Sequence, residues 1–460
     1  MRTDIKKKIK GTVSILGAAR SGLAAASFFS KMNIDTLISD TCNEEKLEKI
    51  LSENNLNKVT YEAGRHTEKI LESDLIIISP GIPSDLQIIK KARSLGIPVW
   101  SEIELGYRVS SAKFLAVTGS TGKSTTVSLL GEILKRSGKE YATAGNIGIP
   151  VISKVPSMSE NGYVAAEISS FQLENIDEFR PLGAAVLNLM KNHLDRYDSE
   201  EEYYNAKKGI ARNFDKENCL ILNALDNRLM DWAQAMKGRT GIILFGKDLP
   251  GFDCFWCEDN LIRYRLGNTE RTIIDTDDMI LKGEHNCLNA CAASALAKIA
   301  GIDDSCIRSG LSSFTGLSHR LELAGRFNGI EFYNDSKSTT AESVCVAVSA
   351  FRNVHLIAGG RDKGCDFSVV NDAIRKHVKS ICLIGEAAGR MYKVWNGIAP
   401  VYCETTLESA VAQALSRSES GDTIVFSPGC SSFDMFKNYE ERGNRFKEIV
   451  NDMTGGPENE

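Results

Sequence analysis

The sequence lacks any uninterrupted apolar run approaching the roughly 18 residues that cross a bilayer, so membrane insertion is not expected. It also lacks a long block of basic residues interleaved with aromatics, and its formal net charge is -5. Bulk electrostatics therefore give a nucleic acid no purchase, and small-molecule partners fit better. Residues 1–19 begin with a basic stretch (Lys6, Lys7, Lys8, Lys10), but Gly17 and Arg20 cut the apolar part short. That segment reads as a first strand, not an export signal, and a cytoplasmic protein is expected. No internal repeat recurs at a fixed period. The 12 cysteines are scattered, mostly in apolar segments such as Ile381-Cys382-Leu383-Ile384, which argues against a disulfide framework and for buried thiols. Cys254-Phe255-Trp256-Cys257 has metal-knuckle spacing, yet no second such pair follows, and residues 252–266 alternate as a β-hairpin does.

At 460 residues, 42% hydrophobic and 25% charged, the chain has the composition of an ordinary globular protein and the length of about three domains. Its most informative stretch is Phe114-Leu115-Ala116-Val117-Thr118-Gly119-Ser120-Thr121-Gly122-Lys123-Ser124-Thr125, an apolar strand, a glycine-rich turn and a helix start. Gly119 and Gly122 let backbone N–H groups and the helix N-terminus face phosphate oxygens, while Lys123 reaches the β/γ bridge and Ser124 can ligate Mg²⁺. The turn is shorter than the common P-loop, which would need a glycine where Val117 stands.

From Gly11 to about Ser111, strand candidates at 12–16, 36–39 and 75–79 alternate with amphipathic helices, as in a parallel sheet covered by helices. The first ends in Gly17-Ala18-Ala19-Arg20-Ser21-Gly22, a weakened dinucleotide-type turn, and Asp40 closes the next strand. Such a turn could hold NAD, hold another phosphorylated ligand, or simply join strand to helix. A second domain opens near Ala112, with strands at 164–168, 184–189 and 220–223 and a last helix over 286–300 ended by Gly301. The third begins near Gly316, with strands at 329–334, 354–358, 381–385 and 423–427. The tail from Asp452 is polar and rich in breakers.

Chemistry gathers at strand ends. Glu167 follows Val164-Ala165-Ala166, where a carboxylate can hold a metal beside a triphosphate or cap a helix. His193 stands just past the strand at 184–189, as a ligand or as a packing residue.

Read together, Thr118–Thr125, Gly145-Asn146-Ile147-Gly148, Glu167 with Ser169-Ser170-Phe171-Gln172-Leu173, and His193-Leu194-Asp195-Arg196 resemble the central-domain motifs of the ATP-dependent Mur ligases of peptidoglycan synthesis. His319-Arg320-Leu321-Glu322, Asn334-Asp335-Ser336-Lys337-Ser338-Thr339, Gly359-Gly360-Arg361-Asp362-Lys363 and Ser427-Pro428-Gly429-Cys430-Ser431-Ser432-Phe433-Asp434 resemble the D-glutamate-adding branch. The likeness spans essentially the whole chain. It implies an α/β fold of three domains: a Rossmann-like N-terminal domain (1–111), a central P-loop-type ATPase domain with a parallel sheet (112–315) and a Rossmann-like C-terminal domain (316–460).

The resemblance further implies an ATP-dependent amide ligase that adds D-glutamate to UDP-N-acetylmuramoyl-L-alanine through an acyl phosphate. ATP would meet Gly119, Ser120, Thr121, Gly122, Lys123, Ser124, Thr125, Asn286, Asn289, Arg320 and Asp335. Two Mg²⁺ ions would be held by Ser124, Glu167, His193 and Lys207, the last as a carbamate derived from CO₂, which replaces a repelling ammonium by an anion. Lys337 would join Lys123, Glu167, His193 and Lys207 in catalysis. The uridine diphosphate substrate would sit on Ala19, Arg20, Ser21, Asp40, Thr41, Ser79 and Gly81, with Asn146 and His193. Thr339, Lys363, Ser432 and Tyr439 would read D-glutamate. A monomer is expected. The chain departs from the pattern at Thr340, Gly429, Ser431 and Cys42. The alternative is a Mur-type or folylpolyglutamate-type ligase with another acceptor amino acid; the uridine seat weighs against the second, and the Asp-Asn-Pro-Arg signature of the diaminopimelate- or lysine-adding branch is missing.

Overall fold

Apolar runs of four to seven residues, each followed by a turn and an amphipathic helix, form buried parallel strands because helices cover both faces of the sheet. The computed structural model describes residues 5, 9, 11–191, 196–362 and 364–454. Two compact units divide the chain, Met1–Phe314 and Thr315–Glu460. The first holds two sheets and the second one, so the protein is an α/β molecule of three sheet-centred domains.

The first sheet comprises β1 (Val13–Leu16), β2 (Thr36–Asp40), β3 (Thr60–Ala63), β4 (Leu75–Ile78) and β5 (Val99–Ser101), in the order β3-β2-β1-β4-β5 and parallel throughout. This is the Rossmann half-order, and its strand order reverses beside β1, where ligands bind. The second sheet has nine strands: β6 (Lys113–Thr118), β7 (Tyr141–Gly145), β8 (Tyr163–Glu167), β9 (Gly183–Val186), β10 (Cys219–Asn223), β11 (Gly241–Phe245), β12 (Asp253–Glu258), β13 (Leu261–Leu266) and β14 (Thr269–Asp275). The order is β14-β13-β12-β11-β10-β9-β6-β8-β7. The expected hairpin is β12 with β13, turned by Asp259 and Asn260 at positive φ. It does not stand alone: β12 pairs parallel with β11, and β14 extends the sheet. In the second unit β15 (Glu322–Phe327), β16 (Ile330–Asn334), β17 (Val354–Gly359), β18 (Val378–Ile384), β19 (Val401–Cys403) and β20 (Thr423–Phe426) run in the order β15-β16-β20-β17-β18-β19, parallel except at β15.

Three expectations need correction. The helix Glu284–Ile299 is not the last of its domain, since Asp304–Ser313 follows; Asp304 and the short loop restart a helix that the alanine run had obscured. The C-terminal helix runs from Tyr439 to Thr454, so residues from Asp452 are helical before the breakers begin. All twelve cysteines are free, but only Cys254, Cys291, Cys382 and Cys430 are buried, because several sit at strand ends or on half-covered helix faces. No helix of the described residues is long and apolar enough to cross a membrane.

Within the first unit, the helix Glu102–Val109 clamps the first sheet to the second. Glu104 accepts hydrogen bonds from the amides of Asp177, Glu178 and Phe179 and pairs with Arg108 at 2.6 Å, while the Arg108 guanidinium lies 4.1 Å over the Trp100 ring. Glu102 is also buried. Its Oε1 accepts from the Ile152 amide at 2.6 Å, and Oε2 makes no hydrogen bond among the described residues. Burial pushes its pKa up to about 7, against the pull of the Ile152 and Val151 amides. The folded state therefore holds a proton that the unfolded chain releases at lower pH, and this group's contribution to stability is lost as pH rises through about 7. Glu102→Gln does not titrate. Its melting temperature relative to wild type should be higher at about pH 8.5 than at about pH 5.5; thermal melts at the two pH values would show equal gaps if the carboxyl were not the cause.

Candidate active site

The parallel register brings three strand ends together. Val117 lies opposite Glu167 of β8 on one side and Ala185 of β9 on the other, so the turn 119–122, Glu167 and the segment after Val186 share one sheet edge. Gly119 has φ 148° and Gly122 φ 82°. A Cβ on Gly122 would also come within 2.6 Å of Asn289 Oδ1, so glycine is needed there for space as well as for backbone shape.

Asn188, which the sequence reading did not single out, fixes this turn. Its Oδ1 accepts from the amides of Ser120 (3.0 Å) and Thr121 (2.9 Å), and its Nδ2 donates to the Thr121 carbonyl. Ser120 Oγ bonds both the carbonyl and the amide of Met190. Two of the amides expected to face phosphate are thus spent on Asn188. The start of the helix Lys123–Arg136, at Lys123, Ser124 and Thr125, supplies the N-terminal donors an anion would meet. Lys123 Nζ donates to the carbonyls of Gly119 (2.8 Å) and Ser120 (3.0 Å).

Lys207, only 2% exposed, donates to the same Gly119 carbonyl at 2.9 Å and lies 4.5 Å from the Tyr203 ring centre. Burial pushes its ammonium down to about 7, and the charge of Lys123 pushes the same way. Glu167 is buried, with Oε1 accepting from Asn146 Nδ2 at 2.9 Å; Oε2 makes no hydrogen bond among the described residues, nor does Thr118 Oγ1 at the end of β6. Oxygen donors of this kind suit a hard divalent cation. Asn289 accepts from Thr126 Oγ1 on the neighbouring helix and donates to Asn286 Oδ1 one turn earlier on its own helix, bracing the glycine-rich turn. His193 lies outside the described residues.

At the switch point of the first sheet, a cavity of about 520 Å³ is lined by Ala19, Arg20, Ser21, Asp40, Thr41, Ser79 and Gly81, together with His66, Pro80 and Ile82. Both Asp40 oxygens are committed, to the amides of Ala18 (2.7 Å) and Cys42 (2.9 Å). Burial works to raise this carboxyl, but those amides prevail and hold its pKa below the ordinary value. Asp40 therefore shapes the turn as well as lining the cavity. Asn146 does not line this cavity; it stays beside Glu167. Arg196, the last residue of the motif that begins at His193, donates to the carbonyls of Pro80 and Ile82 and ties the cavity's rim to the central domain. Arg20 reaches the Gly148 carbonyl at 3.3 Å.

In the second unit the loops after β16, β17 and β20 meet at the carboxyl edge of their sheet. Asp335 is buried, its oxygens accepting from Leu321 N and Ser427 Oγ, and burial pushes its pKa up to about 6. Arg320 is exposed, held between His319 and Leu321, both at positive φ. Lys337 Nζ stands 5.8 Å from the Tyr439 ring centre, and Ser336 Oγ donates to the Tyr439 carbonyl. Ser432 is buried and Thr339 half-buried. Lys363 lies outside the described residues.

Family profiles match in chain order: one described as Mur ligase MurD-like, N-terminal domain over residues 11–101, Mur ligase middle domain over 117–297, and Mur ligase, glutamate ligase domain over 319–430. A protein of Koribacter versatilis named UDP-N-acetylmuramoylalanine--D-glutamate ligase is 38% identical over 443 residues, 96% of this chain and 97% of its own. The chain belongs to the Mur ligase family. A second Mur ligase of the same name, from Lachnospira eligens, is 35% identical over 98% of this chain and all of its own length. The solved UDP-N-acetylmuramate-alanine ligase of Thermotoga maritima shares the Mur ligase fold with a TM-score of 0.59 and 17% identity, over 96% of this chain and 99% of that one.

The Asn188 clasp leads to a prediction about the turn before Lys123. Asn188→Ala should lower stability to urea by about 1–2 kcal/mol. Asn188→Asp keeps the accepted bonds yet adds negative charge, so it should raise KM for ATP about tenfold, more than the alanine variant does. A smaller rise with aspartate than with alanine would show that geometry, not charge, governs the turn.

Proposed function

We propose that the chain joins D-glutamate to UDP-N-acetylmuramoyl-L-alanine at the expense of ATP, releasing ADP and phosphate, as a step of peptidoglycan precursor synthesis. One observation carries the reading: the buried Glu167 carboxylate, with an oxygen in no hydrogen bond among the described residues, ends the strand beside the glycine-rich turn in a chain related along its whole length to ligases of that name. Residues 1–111 are assigned to the uridine diphosphate substrate, 112–315 to ATP and 316–460 to the acceptor amino acid. The enzyme is taken to act as a cytoplasmic monomer.

The difficulty of this reaction is charge. An alanyl carboxylate must approach a triphosphate, attack the γ-phosphorus and expel ADP; the amine of D-glutamate then attacks the acyl carbon, and phosphate leaves from the tetrahedral intermediate. Lys123, bonded to the Gly119 and Ser120 carbonyls, would exchange them for β/γ-phosphate oxygens, and the helix start at Ser124 and Thr125 would face those oxygens. Gly119, Ser120, Thr121 and Gly122 shape the turn, and Asn286, Asn289, Arg320 and Asp335 are assigned to the rest of the nucleotide. Ser124, Glu167, His193 and a carbamoylated Lys207 would hold two magnesium ions. Magnesium, when bound, neutralises phosphate charge and aligns the reacting groups.

Two cationic side chains on one carbonyl oxygen, Lys123 and Lys207, give the carbamate its rationale. A free amine adds CO₂, and burial favours that form of Lys207 above about pH 7. The cavity lined by Ala19, Arg20, Ser21, Asp40, Thr41, Ser79 and Gly81 suits a nucleoside diphosphate; Asn146 and His193 are assigned to the same substrate. Lys337, Thr339, Lys363, Ser432 and Tyr439 are assigned to D-glutamate, whose two carboxylates call for cations and hydroxyl donors.

Phosphate release with ATP, Mg²⁺ and UDP-N-acetylmuramoyl-L-alanine should require D-glutamate, with L-glutamate, L-lysine and no amino acid as controls, and mass spectrometry should find one added glutamyl unit. Turnover with another acceptor would move the specificity to a different ligase of this fold. Lys207→Ala should lose most activity and regain part of it with added short carboxylic acids; full activity in the variant would remove the carbamate from the mechanism.

A further inference from the structure

Arg442 belongs to no motif of the sequence reading. It lies on the helix Tyr439–Thr454 and is 1% exposed. Its Nε donates to Ser336 Oγ (3.1 Å), and its Nη2 donates to the carbonyls of Ser336 (2.9 Å) and Cys430 (3.0 Å). Nη1 is buried and makes no hydrogen bond among the described residues. It faces the turn after β17, where a Cβ on Gly360 would sit 3.0 Å away and overlap the Ser431 carbonyl. One guanidinium thus touches the loops that follow β16, β17 and β20.

Its charge is also unusual. Among the described residues no carboxylate forms an ion pair with it; the Phe426 ring centre lies 5.9 Å off, and the carbonyl oxygens carry the rest of the compensation. Burial lowers its pKa to about 10, and the fields of Asp434 and Cys430 oppose that, so the group stays charged at neutral pH. A buried charge without an opposite partner costs several kcal/mol, and an apolar side chain of similar volume would avoid that cost.

We infer that Arg442 is a positioning and specificity residue for the acceptor amino acid: it locks the loop of Lys337 and Thr339 to the loop of Ser432, and its unpaired charge favours an acidic acceptor. The inference rests on the reading that these loops take D-glutamate. A neutral side chain would release both loops and remove positive potential from the pocket. A lysine would keep the charge but could not span the three acceptors that the planar fork reaches.

The test uses the full chain as wild type, Arg442→Met, Arg442→Lys and Ser336→Ala, with folding checked by circular dichroism and thermal melting. Arg442→Met should raise KM for D-glutamate about tenfold or more while KM for ATP stays within about twofold. Arg442→Lys and Ser336→Ala should raise it about two- to fivefold; if the methionine variant does not fold, these two decide. An unchanged KM for D-glutamate, a parallel rise in both KM values, or a fall in kcat alone would overturn the inference. Wild type that uses another amino acid and not D-glutamate would refute the proposed function. The inference on Arg442 would then survive with an acidic acceptor and fall with a neutral or basic one. Wild type without any amino-acid-dependent turnover would overturn both.

Discussion

The parallel pairing of β6 with β8 and β9 governs the rest of the site. Parallel strands end at one edge, so side chains about fifty to seventy residues apart in sequence arrive together without a dedicated contact. With Val117 opposite Glu167 and Ala185, the phosphate turn, a buried carboxylate and the Asn188 segment are set side by side by backbone register. The side chains then lock what the register has aligned: Asn188 holds the turn, Asn146 holds Glu167, and Lys207 reaches the Gly119 carbonyl from the helix Glu200–Lys208. A one-residue slip of β8 would turn Glu167 to the other face of the sheet and dismantle the cluster.

Buried charges in this chain are compensated in two ways. Glu104 and Arg108 face each other, and backbone amides and a tryptophan ring satisfy what remains, which makes a clamp between the first two sheets. Lys207, Glu167 and Arg442 instead rest on carbonyls or an amide group and keep much of their field. The first kind serves cohesion, because its field is cancelled locally. The second kind leaves an uncancelled charge in a low-dielectric surrounding, which acts strongly on whatever enters.

Much of the fold was legible because buried parallel strands are short apolar runs. The strands at Thr36–Asp40, Cys219–Asn223 and Val354–Gly359 stood out in that way, and so did the hairpin of β12 and β13 through strict alternation. Strand β15 was not legible, since Glu322-Leu323-Ala324-Gly325-Arg326-Phe327 has no apolar run and owes its conformation to pairing with β16. Strands β3, β5 and β19 are edge strands, too short or too polar to announce themselves. The place of Glu167 at a strand end, and of Lys123 at the helix start after the glycine-rich turn, was readable. The partners of Asn188, Arg196 and Arg442 were not, because an asparagine or arginine shows its partners only once distant loops have met.

The sequence by itself determined the alternation of strands and helices, the glycine-rich turn before Lys123-Ser124, and the order of motifs that marks a Mur ligase. These depend on local periodicity and on residue chemistry carried along one strand, turn and helix. Only the tertiary structure decided that Asp40 serves the backbone of its own turn, that Lys123 and Lys207 share one carbonyl, and that a single arginine joins three loops. Each of these is a matter of which groups satisfy one another across long sequence separations, and that is set by sheet order and register instead of by neighbouring residues.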